Sequence, residues 1–177
     1  MPLKLYIYYK SKSLIMRNIT LSLLLVLGLT AMNGQEEGKF RVGLDLGYVS
    51  TDDGGMLFHI EPKYNITDNS NIGLRLGFTS GAFSYSSASI LGTYDYYFNS
   101  GNPVISPFLG AGLGLFTFDK TTLFGPKISY EKFGGLIRGG VEIGKFRIAL
   151  EYNIIPKSEY TKNSYFGASI GFYVGGG

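Results

Sequence analysis

Few residues in this chain have side chains suited to catalysis. His59 is the single histidine among the 177 residues, and Glu61 follows it two positions later. If this segment is a strand, both side chains lie on one face, and a histidine with an acidic or hydroxyl partner is a common catalytic arrangement. Because no serine stands at a persuasive spacing, the sequence favours a structural role for the pair and predicts no catalytic residues.

Metal and cofactor sites also find little support. The chain has no cysteine, which excludes disulfides and thiolate metal sites, and its one histidine excludes multi-histidine sites. The segment Asp52-Asp53-Gly54 resembles part of a calcium loop, but the remaining oxygen ligands are missing, so we interpret it as a turn. We predict no cofactor and no metal.

Charge is unevenly distributed along the chain. The whole sequence has 16 Lys+Arg and 13 Asp+Glu. Residues 1–34 contain four of the basic residues and no acid, which leaves 12 positive and 13 negative residues in 35–177. This balance lacks the basic footprint of a nucleic-acid-binding protein, and we predict no such partner.

The N-terminal segment has the pattern of a secretory signal peptide. Arg17 precedes an apolar stretch of 11 residues, 19–29, and small or polar residues follow it. A membrane-spanning helix would need roughly 20 apolar residues. We expect residues 1–34 to be a leader cleaved between Ala31 and Gln35, with Met16 as an alternative start, and residues 35–177 to form one domain.

From residue 39 onward, apolar residues recur at every second position, which is typical of strands with one apolar face. The pattern predicts eight strands, at about 40–49, 56–64, 72–79, 88–98, 108–116, 132–143, 146–154 and 165–174. Short turns at 65–70, 99–103 and 144–145 alternate with longer connections at 50–55, 80–87, 119–129 and 156–164. Pro62 is expected near a strand end, where a missing N–H is tolerable. The fold class predicted is all-β, an antiparallel up-and-down meander.

The two faces of these strands favour a transmembrane β-barrel over a soluble one. Aromatic residues such as Phe40, Tyr48, Tyr64 and Tyr152 lie on the apolar face near strand ends, as in the interfacial girdles of membrane barrels. Glycines recur on the opposite face, where they would make room for long side chains inside a narrow tube. In the fifth strand both faces are apolar or small, so its orientation stays open. A soluble lipocalin-like binding barrel, with its apolar face inside, is the alternative.

Positive and negative residues are nearly balanced on the face opposite the apolar one. If that face lines a lumen, the charges must pair, because charges removed from water are costly without partners. We expect a structural charge network inside the barrel, made of Arg41, Asp45, His59, Glu61, Lys63, Arg75, Asp95, Arg138, Glu142, Arg147 and Glu151.

Together these features resemble the small outer-membrane β-barrel proteins of Gram-negative bacteria, the eight-stranded OmpA/OmpX-type barrels. The resemblance rests on the leader at 16–34, the eight alternating strands, and the phrase Tyr64-Asn65-Ile66-Thr67-Asp68 followed by Ile72-Gly73-Leu74-Arg75. It implies export to the cell outer membrane, contact with its lipid, periplasmic termini, and the longer connections outside the cell.

The resemblance also implies recognition of the C-terminal strand by the barrel-insertion machinery, which reads a terminal aromatic residue in such proteins. Here Phe172 and Tyr173 are inset from the end and are followed by Val174 and three glycines. One of the two aromatic residues is therefore expected to serve as the signal.

Three functions are compatible with such a barrel. A porin-like channel for ions or small solutes is one, and a membrane-embedded enzyme using His59 is a less favoured one. The hypothesis that we favour is a structural or adhesive envelope protein whose loops meet an extracellular ligand or surface. It is favoured because the interior of an eight-stranded barrel is just filled by side chains.

Overall fold

The computed structural model describes residues 37–50, 54–81, 85–98, 104–120, 128–156 and 164–176. These form eight strands: β1 (Phe40–Ser50), β2 (Gly55–Thr67), β3 (Ser70–Gly81), β4 (Tyr85–Tyr97), β5 (Ile105–Lys120), β6 (Ile128–Ile143), β7 (Phe146–Ile154) and β8 (Tyr165–Gly175). The predicted leader and Asp52-Asp53 lie outside the described residues. In the described ranges, no helix has the length and apolar character needed to cross a membrane.

Each strand pairs antiparallel with its neighbour in sequence, and β1 also pairs with β8, so the sheet closes into a barrel. Closure gives every strand a partner on both sides. The β1–β8 seam is continuous from Arg41↔Gly175 to Ser50↔Phe166. The prediction of an all-β, eight-stranded, up-and-down antiparallel barrel is confirmed.

Side chains alternate strictly between the two faces of the wall. In β7, residues 147, 149, 151 and 153 are buried, whereas 146, 148, 150, 152 and 154 are exposed. The ambiguity of β5 is resolved, because Leu109, Leu113 and Leu115 face outward while Phe108 and Phe116 are buried inside. Apolar side chains thus cover the outside of the barrel, which is the reverse of a soluble barrel.

The two ends of the barrel differ. We call the end with the hairpins β2–β3, β4–β5 and β6–β7 the turn edge, and the opposite end the loop edge. At the turn edge, Gly144 is the first residue of a two-residue hairpin loop and has a φ of 58°, in the left-handed region where glycine is preferred. The turn between β2 and β3 is shorter than predicted, since β2 continues to Thr67 and β3 begins at Ser70.

The strands extend farther toward the loop edge than the apolar alternation predicts. β3 reaches Gly81 and β4 begins at Tyr85, so most of the predicted 80–87 connection is strand. Backbone pairing does not need apolar side chains, and the additional pairs, such as Ser80↔Ser86, join polar residues.

The position of Pro62 also differs from the prediction. Pro62 lies inside β2 rather than near its end, at the point where the β2–β3 register passes from Ile60↔Leu76 to Lys63↔Gly73.

Candidate functional site in the barrel lumen

All eleven residues of the predicted network lie inside the barrel, and each is at most 5% exposed. They come from six of the eight strands and comprise five cations, five carboxylates and His59. We call these eleven residues the lumen network. It divides into a central group, a turn-edge group and a loop-side group.

Arg138 is the centre of the network. Its Nη1 and Nη2 donate to Oε2 and Oε1 of Glu61 at 2.9 and 2.6 Å, and its Nε and Nη2 donate to Oδ1 and Oδ2 of Asp95 at 2.8 and 2.9 Å. Lys63 Nζ also bonds to Asp95, and the hydroxyl of Thr93 donates to Glu61 Oε1 at 2.6 Å. One guanidinium therefore holds two carboxylates in two-pronged geometry, which is the strongest form of this pairing.

Arg147 connects the central group to β1 and β8. Its Nη2 bonds to Asp45 and lies 3.3 Å from Glu61 Oε2, while Nη1 donates to the Tyr173 hydroxyl at 2.7 Å. The alternation places Tyr173 on the polar face, but nothing in the sequence identifies which cation it meets. The position of Tyr173 on the polar face of a narrow barrel could have predicted that its hydroxyl bonds to a residue of the lumen network.

The turn-edge group consists of Arg41, Glu142 and two uncharged partners. Arg41 Nη1 donates to Glu142 Oε2 at 2.8 Å, and Nη2 donates to the Tyr97 hydroxyl at 2.7 Å. That hydroxyl donates to Glu142 Oε1 at 2.6 Å and accepts from Asn71 Nδ2 at 3.1 Å. The Arg41 guanidinium also lies 4.1 Å from the centroid of the Tyr173 ring, a cation–π contact that adds β8 to this group.

In the loop-side group, Arg75 lies between His59 and Glu151. Arg75 Nη2 is 2.9 Å from His59 Nε2 and bonds to Glu151, and Asn153 Nδ2 donates to the other Glu151 oxygen at 3.0 Å. Glu61 instead meets Arg138 and Arg147. The structure thus pairs His59 with an arginine rather than with the acid two residues away.

Inward-facing glycines make room for these side chains. A β carbon at Gly171 would overlap the Asp45 carboxylate, and one at Gly110 would overlap the Asp95 carboxylate. At Gly43 it would lie 2.9 Å from Cε1 of Tyr173, closer than side chains pack. A residue larger than glycine would displace a paired carboxylate at Gly171 or Gly110, and the Tyr173 ring at Gly43.

Apolar residues fill the lumen on the loop-edge side of the network, a feature that the sequence analysis did not predict. This loop-edge apolar cluster consists of Val49, Leu57, Leu91, Phe116, Phe118, Leu136, Ile155 and Tyr165, each at most 8% exposed. The rings of Phe116 and Phe118 are nearly parallel, with an interplanar angle of 9° and centroids 6.3 Å apart. The cluster could have been predicted from Leu57, Leu91 and Leu136, which are apolar residues at positions of the polar face.

The charged groups are paired with one another, and within the described ranges no group of three or more His, Asp or Glu side chains is placed to hold a metal ion. The lumen thus contains ion pairs that connect distant strands, and an apolar cluster at one end. The outer face offers a continuous apolar surface, with Tyr48, Phe78 and Tyr152 exposed near the loop edge and Phe40 and Tyr64 near the turn edge.

Comparison with known structures finds β-barrels of similar fold. The chain is similar to Neisserial surface protein A, with a TM-score of 0.63 and 21% identity over 77% of this chain and 95% of that one. It is also similar to the N-terminal β-barrel domain of OprF from Pseudomonas aeruginosa, with a TM-score of 0.54 and 16% identity over 79% of this chain and 100% of that one. At these identities the similarity is one of fold.

The family of this chain is assigned from its sequence. No curated protein matches the chain, but the family described as outer membrane protein beta-barrel domain matches residues 19–175. This match covers all eight strands, and the outward apolar face suits contact with membrane lipid. The chain therefore belongs to the outer membrane protein beta-barrel domain family, and it resides in the outer membrane.

Proposed function

We propose that the protein is a structural and adhesive component of the outer membrane, a barrel with a filled lumen that presents its connecting loops at the cell surface. The observation that carries this proposal is the lumen itself. Five cations and five carboxylates are buried there in mutual contact, and the loop-edge apolar cluster packs beyond them. Such an interior suits a rigid scaffold better than a transport path or a reaction chamber.

The ion pairs act as struts across the barrel. In a closed ring of eight strands, strands four apart lie on opposite walls, and Arg138 of β6 reaches Glu61 of β2 in this way. Arg75 of β3 likewise reaches Glu151 of β7. A channel would need a continuous wet path between these walls, and an apolar constriction such as the loop-edge cluster excludes water.

The enzyme hypothesis is weakened by the surroundings of His59. The imidazole lies against Arg75 Nη2, and the same guanidinium holds Glu151. Arg75 therefore contacts both the imidazole and the acid nearest to it. We accordingly propose that the protein is not an enzyme.

The adhesive part of the proposal assigns recognition of an extracellular ligand or surface to the loops. Paired strands such as β5 and β6 extend to Lys120↔Ile128, and polar outward residues such as Ser86 and Ser129 follow the apolar band at this end. A rigid scaffold that carries loops on one edge is a common basis for binding. We further propose that residues 1–34 are the export leader and that the loop edge faces the exterior.

Assembly would depend on the last strand. Phe172 of β8 packs against Phe146 of β7, with ring centroids 5.6 Å apart, whereas Tyr173 is buried in the lumen. Because Tyr173 is enclosed in the lumen whereas Phe172 packs on Phe146, we propose Phe172 as the aromatic residue that the insertion machinery reads.

The adhesive role is tested by replacing residues 121–127, the connection between β5 and β6, with a Gly/Ser segment of equal length. Bacteria displaying equal amounts of the two proteins are compared for adherence to epithelial cells and to an abiotic surface, with a deletion strain as the baseline. The proposal predicts that wild type adheres above the baseline and that the replacement reduces adherence. Wild-type adherence at the baseline on both surfaces would overturn the adhesive role.

A further inference from the structure

The first part of β6 has a paired strand on one side only. β6 pairs with β5 along its whole length, whereas its pairing with β7 begins only at Gly135↔Ile154. In the parts of the chain that the structure describes, no strand pairs with residues 128–134 on the β7 side. We call this stretch the open β6 edge.

A proline explains why β7 stops short. If the register of β6 and β7 continued, Pro156 would stand opposite Phe133. Proline has no N–H to donate, so it cannot continue the ladder. On its other side the chain stays attached, because the Ile155 N–H donates to Ser164 Oγ at 3.2 Å, next to β8. The open β6 edge therefore follows from a proline two residues beyond the last pair.

The backbone groups along this edge point away from β5 at every second residue. The Gly144 N–H donates to the Val104 C=O at 3.0 Å, and the register between β5 and β6 is unbroken. Because backbone direction alternates along a strand, the even-numbered residues of β6 face β5. Ser129, Glu131 and Phe133 therefore direct their N–H and C=O groups toward the open side.

The open β6 edge extends beyond the apolar band of the barrel. On the outer face of β6, Phe133 is the last apolar residue, and the exposed residues Glu131 and Ser129 follow it toward the loop edge. Lipid cannot hydrogen-bond to unpaired backbone groups, so such an edge is tolerated only where water or a partner reaches it. An unpaired strand edge is a template for an added strand.

We propose that the open β6 edge binds an extended segment of another protein as an added antiparallel strand. This inference rests on the adhesive function proposed above and specifies the kind of partner. The antiparallel direction continues the pattern of the barrel, in which every neighbouring pair is antiparallel. A second copy in the same membrane does not fit, because its β6 also runs from the loop edge toward the turn edge.

Side chains on the edge indicate which segment fits. Glu131 is exposed on the outer face, and Lys132 points to the lumen side. Neither forms an ion pair with a residue in the described ranges. Directly opposite residues of an antiparallel pair share a face, and opposite charges there are favourable. The partner strand therefore carries a basic residue opposite Glu131, an acidic residue opposite Lys132, and an apolar residue opposite Phe133.

The chain contains no cysteine, so one introduced cysteine can capture a peptide by disulfide exchange. Ser129→Cys places the thiol on the open β6 edge. Ser86→Cys is the matched control, because Ser86 is also outward near the loop edge but is paired on both sides, with Ser80 and Asp119. The probe is the capped peptide Val-Glu-Lys-Val-Cys, in which an antiparallel strand places lysine opposite Glu131 and cysteine opposite Ser129.

Each protein is equilibrated with the probe in a glutathione buffer, and a heat-dependent shift in gel mobility establishes that it is folded. The proposal predicts about tenfold or more peptide adduct with Ser129→Cys than with Ser86→Cys, because strand pairing raises the local concentration of the probe. N-methylation of the probe's lysine, whose N–H would bond to Glu131, should abolish the difference. N-methylation of the valine beside the probe's cysteine should preserve it, because that N–H points away from β6.

Equal adduct with the two proteins would overturn the proposal, and so would a difference that survives N-methylation of the lysine. An adduct that forms only after residues 157–163 are replaced with a Gly/Ser segment would show that the chain covers its own edge. A disulfide dimer of the Ser129→Cys protein in place of the adduct would identify a second copy as the partner. Either result would overturn the proposal as well.

This inference and the adhesive function can fail separately. Adherence that depends on residues 121–127, together with equal adduct at the two sites, would overturn the added strand and leave adhesion in place. Preferred capture by Ser129→Cys, together with wild-type adherence at the baseline, would support the added strand and overturn adhesion.

Discussion

Arg138 and Glu61 form a two-pronged ion pair across the full width of the barrel, with N–O distances of 2.9 and 2.6 Å between residues 77 positions apart in the chain. The strands that carry them, β6 and β2, lie on opposite walls. The contact therefore crosses the lumen between these two walls. It also connects the two halves of the meander, whose backbone pairs join only neighbouring strands.

We expect Arg138→Gln to be strongly destabilising, because it leaves Glu61 and Asp95 without their main partner. Breaking a buried ion pair from one side costs about 3–5 kcal/mol, and the free energy of unfolding in lipid vesicles, measured with urea, should fall by about this amount. Lys145→Gln, at the β6–β7 turn and outside the network, is the control. A loss below about 0.5 kcal/mol for Arg138→Gln would contradict the strut role.

Substitutions at Gly171 and Gly92 test whether the inward face of the wall is packed more tightly than the outward face. A β carbon at Gly171 would overlap the Asp45 carboxylate, whereas at outward-facing Gly92 the nearest atom would be 3.9 Å away. Gly171→Val should lower the free energy of unfolding by about 2 kcal/mol or more, as overpacking does. Gly92→Val should be neutral or slightly stabilising, because valine favours strands. Equal effects of the two substitutions would argue against tight packing in the lumen.

Truncation of Phe116 and of Phe133 compares how much a phenylalanine stabilises the barrel in its interior and on its lipid-facing surface. Phe116 is fully buried in the loop-edge apolar cluster, whereas Phe133, on the neighbouring strand, is 62% exposed. Phe116→Ala should lower the free energy of unfolding by about 3–5 kcal/mol, because it leaves a cavity. Phe133→Ala should cost clearly less, since lipid fills the space. A similar cost at both positions would mean that the cluster is loosely packed.

Phe172→Ala tests the proposed insertion signal. The substitution should slow folding into liposomes that contain the insertion machinery, while the rate of spontaneous refolding in detergent changes little. Val174→Ala, which also faces outward on β8, is the control. If Phe172→Ala and wild type fold at the same rate with the machinery present, another residue carries the signal.

Much of the fold could be predicted from the sequence, because alternation with a period of two directly reports which residues share a face. The same alternation placed Arg41 and Glu142 on the polar face together. It could not show that these two residues pair, since contacts across a lumen join strands that are not neighbours. It also could not show that Leu57 and Leu91 form an apolar cluster, because a polar-face leucine has no distinct pattern of its own.

Strand ends were the least predictable part of the fold. Ser80 and Ser86 continue the pairing of β3 and β4 beyond the apolar band, where hydrophobic alternation carries no information. Pro62 was expected near a strand end because it lacks an N–H, but the register of β2 against β3 passes over it. At Ser80 and Ser86 backbone pairing extends the strands beyond the apolar residues, and at Pro62 the pairs on either side keep one register.

The filled lumen is tested most directly by single-channel recording of the folded mature protein in planar lipid bilayers, with the heat-dependent gel shift as the check of folding. We expect no steady openings in 1 M KCl for the wild type. Steady openings of defined conductance that disappear in Arg75→Gln or Glu142→Gln would contradict a filled lumen, because ions would then pass along the residues of the lumen network.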